Sequence, residues 1–411
     1  MFSLRVMLES ITLDSIIKAR EILNGVIHNT PLFRSNTFSN IINGDLYIKA
    51  ESLQKTGSFK VRGAFVKLYS LNEEQKRKGV ITASAGNHGQ GVAYASKILG
   101  IDCTVVMPAN ASPAKIAAIK NYGANIILHG TLYDQAWLKT LEIAKERDLT
   151  IIHAFDDPYV IRGQGTIALE ILDTIKDLDT IVLPIGGGGL ASGISIVLRA
   201  LKKAVNIIGV QSRAFSAMKR SIEQGSIVEA RNGSTIADGV SVKRPGELTF
   251  NILRDNIDEI ALIDDDDIIR AIFLLMERTK LVVEPAGAMG LAYILSEPKR
   301  FKNKKVVTIL TGGNIDMYLL GQIVSKGLVK TGRMLKIAIQ LVDRPGELKR
   351  VVDTISATRV NIVEVLHDRL SQDVSVGKAK VTLSLETEGE EHTKRLINAF
   401  RENDIEFKIL S

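Results

Sequence analysis

Cysteine is nearly absent: Cys103 is the only one in 411 residues. No disulfide framework or thiolate metal cluster can form within the chain, which fits a reducing cytoplasm. The 6 histidines show no His-x-x-x-His or Cys/His spacing, so no metal site is expected. Aromatic residues are scarce, with 12 Phe, 8 Tyr and 1 Trp, which argues against a stacking platform for single-stranded nucleic acid. No apolar run reaches the ~20 residues that span a bilayer, so no membrane association is expected. Residues 1–7 are too short for a signal-peptide core and lack a small-residue cleavage site; Met7 is an alternative start to Met1. No Gly-(four residues)-Gly-Lys-Ser/Thr pattern occurs, which leaves a P-loop nucleotidase unsupported.

What remains is an ordinary globular balance, 45% hydrophobic and 24% charged, and a length suited to two or three domains of roughly 100–200 residues. The net charge of +7 is spread along the chain. Short basic runs such as residues 302–305 and Lys202 with Lys203 read as solvated helix ends or loops, so no nucleic-acid partner is expected. A positive balance also suits an anionic small molecule.

Strand-like and helix-like segments alternate from Leu46 to Ile323, which predicts α/β units with parallel sheets. Val80–Ala83, Cys103–Met107, Asn125–Leu128, Thr180–Pro184, 206–211 and 306–310 read as strands. Helices are expected over 64–71, 91–99 and 190–200, and one starts at Ser112-Pro113 and stops at Gly123. In such folds ligands bind beyond the carboxyl ends of strands, which singles out the loops 84–88, 186–189 and 311–314. From about Leu335 the order becomes βαββαβ, the ferredoxin-like arrangement. The expected division is a catalytic region over 1–325, with a small domain at about 51–158 inserted in a larger one, a linker over 326–334, and a regulatory domain over 335–411.

Four consecutive glycines, Gly186, Gly187, Gly188 and Gly189, follow a buried strand. They let backbone N–H groups turn onto an anion, and the next helix adds the positive end of its dipole. A tight turn is the plainer alternative. The run also fits a dinucleotide fingerprint formally, but the next strand ends at Val210-Gln211-Ser212 without the carboxylate that would hold a ribose. A phosphate without an adenosine ribose is therefore the better reading. Lys60 falls in the first turn of a helix that Ser58 can cap, where the dipole and burial against Phe59 and Val61 both favour a neutral amine. Taken alone, most lysines are surface lysines. Ser84, Gly86, Asn87 and His88 offer backbone donors, a hydroxyl and an amide before a helix, suited to a carboxylate or a ring oxygen; a capping or core role is the alternative for His88. Asp264–Asp267 reads as N-capping and dipole compensation.

Taken in order, these motifs resemble the fold-type II pyridoxal-phosphate (PLP) enzymes. They are Lys55-Thr-Gly-Ser-Phe-Lys-Val-Arg-Gly-Ala64, Thr82-Ala-Ser-Ala-Gly-Asn-His-Gly-Gln-Gly91, Gly186–Leu190, Ile236-Ala-Asp-Gly-Val240, Val283-Glu-Pro-Ala-Gly287 and Thr311-Gly-Gly-Asn314. With Phe155-Asp-Asp-Pro158 the match is to threonine deaminases, whose fold is tryptophan-synthase-beta-like. The segment Leu341-Val-Asp-Arg-Pro-Gly-Glu-Leu348 resembles the opening of an ACT domain.

The resemblance implies PLP as cofactor, with Lys60 as the Schiff-base lysine and Phe59 beside it. It implies Gly186–Gly189 with Leu190 as the phosphate loop, Asn87 on the ring's 3′-oxygen and Thr311 facing the ring nitrogen. Ser84, Gly86, Asn87 and His88 would bind the substrate carboxylate. The implied reaction is β-elimination of water from L-threonine, and also L-serine, giving an oxoacid and ammonia. In serine racemases a second serine precedes the Gly-Asn pair; here that position is Ala85, which favours elimination over racemisation. Glu284 lies near the site without a defined role. Asp343, Pro345, Gly346 and Asn361 are candidates for binding a branched-chain amino acid, and a homo-oligomer, dimer or tetramer, is expected. A regulatory binding protein with a degenerate enzyme core is the competing class.

Overall fold

The computed structural model describes residues 4–84, 86–201, 204–230 and 233–410. Met1, Ala85, Lys202 and Lys203 lie outside the described residues. The chain divides into two compact units, Met1–Asp316 and Met317–Ser411.

The strands are β1 (Leu32–Arg34), β2 (Asp45–Lys49), β3 (Val80–Ala83), β4 (Cys103–Met107), β5 (Asn125–Leu128), β6 (Thr150–Ile151), β7 (Thr180–Pro184), β8 (Asn206–Ser212), β9 (Glu259–Ile263), β10 (Lys305–Ile309), β11 (Met334–Val342), β12 (Asn361–Asp368), β13 (Lys378–Glu386) and β14 (Phe407–Ile409). The first unit holds two sheets. One has the order β1-β2-β10-β7-β8-β9, parallel except for β1; the other, β5-β4-β3-β6, is wholly parallel and lies within residues 51–158. Strands buried on both faces should read as continuous β-branched runs, as Thr180–Pro184 and Cys103–Met107 do, each buried throughout. Ile181, Leu183, Ile207, Val307 and Ile309 pack on the helix Pro158–Thr174 through Ile167 and Ile171. Val80, Val105 and Met107 pack on Leu68 and Val92 of two further helices.

Those helices cross where glycines remove the side chain. A Cβ on Gly163 would lie 2.6 Å from the Arg62 carbonyl oxygen and from Gly63 Cα; one on Gly165 would lie 2.8 Å from the Gly193 carbonyl oxygen; one on Gly91 would lie 3.1 Å from the Lys60 carbonyl carbon. Asn87–Leu99 thereby packs on Lys60–Tyr69, which packs on Pro158–Thr174, which packs on Gly189–Leu201, backbone against backbone.

The second unit has the antiparallel order β12-β13-β11-β14, with helices Glu347–Ala357 and Glu390–Glu402 burying Val351, Ile355, Leu396 and Phe400 on Ile337, Ile339, Val381 and Leu383. This is the expected βαββαβ order. Among the described residues no helix is long and apolar enough to cross a membrane.

Four expectations are corrected. The helix expected from residue 91 begins at Asn87, because its glycine-bearing first turn carries no apolar periodicity to read, whereas Lys60 does fall in the first turn of its helix as expected. Ser58 does not cap the first of them: Phe59 is the N-cap residue, without a side-chain cap bond, and the Ser58 hydroxyl is buried with no partner. The expected linker over 326–334 is helical as far as Lys330, where the helix Met317–Lys330 that buries Gly327 ends, and its last residue opens β11. Asp264 does not cap Asp265–Thr279 with its side chain but pairs with Arg213 at 3.0 Å, while Asp265, Asp266 and Asp267 do occupy the acidic first turn.

Candidate active site

Three chain segments reach one place from the carboxyl ends of β3, β7 and β10. The loop after β7 carries the four glycines into the helix Gly189–Leu201, whose first turn holds no acidic residue. Gly188 has φ +96°, a left-handed conformation that favours glycine, and a Cβ on Gly187 would fall on the Phe155 ring. The Gly187 carbonyl accepts from Thr249 Oγ1 at 2.7 Å. Asp156 accepts from the backbone N–H groups of Glu247 and Thr249 at 2.9 and 3.1 Å, fixing the helix that presents Thr249. Leu190 is buried in the same helix.

Lys60 opens the helix Lys60–Tyr69. Its Nζ donates to the Ala154 carbonyl at 3.0 Å and lies 5.2 Å from the centre of the Phe59 ring. Burial pushes its pKa down to about 8, against the opposing pull of Glu284. About a tenth of the amine is therefore in the neutral, nucleophilic form at pH 7, far more than an exposed lysine offers. Phe59 donates its N–H to the Thr311 carbonyl at 3.0 Å, so the segment carrying Lys60 is tied to the end of β10, and Thr311 is buried beside it.

The loop after β3 is organised by Ser84, whose Oγ accepts from Gly86 N and Gly89 N at 3.2 and 2.9 Å and so satisfies a helix-start donor. Asn87 donates through Nδ2 to Glu284 Oε1 at 2.7 Å, and its Oδ1 accepts from Asn314 Nδ2 at 2.7 Å. Glu284 is raised to about 7 by burial, with Asp238 adding to the shift. His88 is buried; its Nε2 bonds the Ile152 carbonyl at 3.1 Å, and burial next to Lys60 lowers its pKa to about 3. Its side chain is a neutral core imidazole, so any ligand contact from this position falls to the backbone.

Lys60, Phe59 and Thr311 are thus joined by hydrogen bonds or direct contact, while Asn87 is held by Glu284 and Asn314. Phe155, Asp156, Thr249 and Asn314 had no role in the sequence reading; the Phe-Asp-Asp-Pro and Thr-Gly-Gly-Asn motifs were the available signals. In the second unit, Asp343, Pro345 and Gly346 line a cavity of about 290 Å³ with His367 and Arg369, and Arg369 Nε pairs with Asp343 at 2.9 Å. Asn361 is not among its lining residues. Its amide donates to Glu386 Oε2 at 3.1 Å across the paired strands β12 and β13, so the structure does not bring it together with the other three candidates in that cavity.

Residues 23–312 match the family described as pyridoxal-phosphate dependent enzyme. The chain belongs to this family. The residues present fit the cofactor: a buried lysine of lowered pKa, a glycine loop at a helix start free of acidic side chains, and an amide held by Glu284 and Asn314. This PLP-dependent chain is 42% identical over 386 residues to the L-threonine ammonia-lyase of Thermotoga maritima, covering 94% of this chain and 96% of that protein. It is 43% identical over 372 residues to the L-threonine ammonia-lyase of Geobacter sulfurreducens, covering 90% and 92%. Among solved structures, processed threonine deaminase isoform 2 of Solanum lycopersicum superposes with a TM-score of 0.73 at 35% identity, over 76% of this chain and 88% of that one. Maize serine racemase gives 0.73 at 34%, over 78% and 99%.

Proposed function

We infer that this chain is a PLP-dependent threonine ammonia-lyase. It removes water from L-threonine, and by the same chemistry from L-serine, to release 2-oxobutanoate or pyruvate and ammonia. The observation that carries this reading is the Lys60 amine, its pKa lowered by burial beside the Ala154 carbonyl and the Phe59 ring against the pull of Glu284, in a chain so similar to proteins of that activity. Bound PLP supplies the electron sink for negative charge at the substrate α-carbon. Lys60 holds the cofactor and then takes the α-proton as general base. The backbone of Gly186–Gly189 and Leu190 binds the phosphate at a helix start. Asn87 and Thr311 orient the ring, Thr311 through a hydroxyl rather than a carboxylate, and the Ser84–His88 backbone receives the substrate carboxylate. The sequence carries alanine at position 85, where serine racemases carry a second serine, so the second hydroxyl that racemisation uses is missing. Release of oxoacid from L-threonine and L-serine by PLP-saturated protein tests the assignment; saturation with no oxoacid would overturn it.

The amine pKa gives a pH dependence. Lys60 must be neutral to attack the cofactor aldehyde, so the rate at which apoprotein takes up PLP should rise about tenfold per pH unit below 8 and flatten above it. Borohydride-trapped cofactor, quantified by mass spectrometry, reads this directly. A rate flat from pH 6 to 9 would contradict a depressed amine.

Regulation belongs to the same proposal. The cavity at Asp343–Gly346 takes a branched-chain amino acid such as isoleucine or valine, and the chain works as a homo-oligomer in the cytoplasm, a setting favoured by its single, buried cysteine. Calorimetry on the intact chain should show isoleucine or valine binding that Asp343→Ala weakens. No heat with either amino acid would leave the second unit with assembly alone.

A further inference from the structure

We propose that Asn314 is a positioning residue that fixes which end of the Asn87 amide faces the cofactor ring. The inference rests on the functional reading above. The two ends of an amide side chain are chemically opposite, one accepting and one donating, so a flip exchanges a donor for an acceptor at the ring. The direction is set here by a backbone carbonyl.

Asn314 Nδ2 lies 2.8 Å from the Thr56 carbonyl oxygen. A carbonyl only accepts, so the atom facing it must be the NH2 group. The other N–H of that group points to Asn87 at 2.7 Å. The Asn87 atom receiving it is therefore the oxygen, and the Asn87 NH2 must lie on the far side, where one of its N–H bonds reaches Glu284 Oε1 at 2.7 Å. One N–H remains for the ring oxygen.

This logic does not depend on the state of Glu284. That carboxyl, raised to about 7 by burial, accepts from Asn87 in either form, so Glu284 alone would not hold the orientation when its proton comes and goes. The Thr56 carbonyl cannot change role. Gly57 makes the arrangement possible: it has φ +69°, and a Cβ there would lie 2.5 Å from Asn314 Oδ1. The Gly57 carbonyl also accepts from Gly313 N at 2.8 Å, which holds the two backbones together at this point.

A double-mutant cycle on apoprotein tests the proposal, reading the dissociation constant for PLP and the pH midpoint of the visible cofactor band. Asn314→Asp keeps the shape but cannot donate to Thr56 and Asn87. It should weaken PLP binding about tenfold, the size of one hydrogen bond to a polar ring substituent, and move the band's midpoint. In an Asn87→Ala background the same substitution should change affinity less than about twofold, because a residue acting only through Asn87 has nothing left to act on. If Asn314→Asp does not fold, Asn314→Ser carries the same cycle. Wild-type affinity and midpoint in the Asn314 variant would overturn the proposal, and so would a full effect persisting without Asn87. Wild-type protein that binds PLP yet releases no oxoacid would instead overturn the assigned activity.

Discussion

Lys60→Ala should abolish ammonia release from L-threonine, with kcat falling by about 10³-fold or more, the scale of a positioned general base. The loss should be chemical rather than structural. Lys60 makes one hydrogen bond, to the Ala154 carbonyl, and its charged form is disfavoured by burial, so removing it takes away a cost as well as a contact. The variant should keep its thermal transition within a few degrees of wild type. It should bind PLP through the glycine loop but yield no borohydride-trapped adduct at this position. A small primary amine added to the variant should restore part of the rate, since what is missing is a base of the right size in a site otherwise intact. Activity within tenfold of wild type would remove Lys60 from the mechanism.

Arg62→Met should cost about 3–5 kcal/mol of stability, the price of leaving buried carboxylates without their cation. Arg62 is fully buried two residues beyond Lys60. It holds Glu51 through two bonds of 2.8 Å, reaches Glu170 at 2.5 and 2.9 Å, and donates to Thr166 at 3.1 Å. Lys49, also buried, pairs with Glu170 at 2.5 Å. The penalty should depend on pH with a definite sign. In the wild type, burial alone would raise the Glu51 pKa, but Arg62 overcomes it and holds the carboxyl below its ordinary 4.5. Its stabilisation is therefore present above pH 4.5 and lost as pH falls through the folded-state value. Without Arg62 burial prevails, the folded-state pKa lies above 4.5, and stability is lost as pH rises. The gap between variant and wild type, measured from urea midpoints, should narrow from pH 7 to pH 4. A gap independent of pH would mean the charges are not what Arg62 compensates.

Neither network was legible in the sequence, although much of the frame was. Strands such as Val80–Ala83, Cys103–Met107 and Thr180–Pro184 were readable to the residue because apolar β-branched runs end at turn residues. The helix start at Asn87 was misread because its first turn holds glycine and histidine at positions where periodicity would show. Lys60, the glycine run and Asn87 stood out as motifs. The links that give them geometry join residues more than a hundred positions apart, Arg62 to Glu170 and Asn87 to Asn314, and such pairings leave no local pattern. The second unit was mistaken at its start for a related reason: Gly327 and Gly332 read as a linker, whereas the helix buries Gly327 before Gly332 turns the chain at φ +64°.

The helix crossings at Gly63, Gly163, Gly165 and Gly193 narrow how this protein can be improved. Replacing helix glycines by alanine is a standard stabilising change, gaining up to about 1 kcal/mol through backbone entropy. Here that route is closed around the catalytic lysine, because the added methyl on Gly163 would meet backbone at 2.6 Å. Evolution or engineering must seek robustness elsewhere, at a position such as Gly321 in the helix Met317–Lys330, where a methyl group would find nothing within 4 Å.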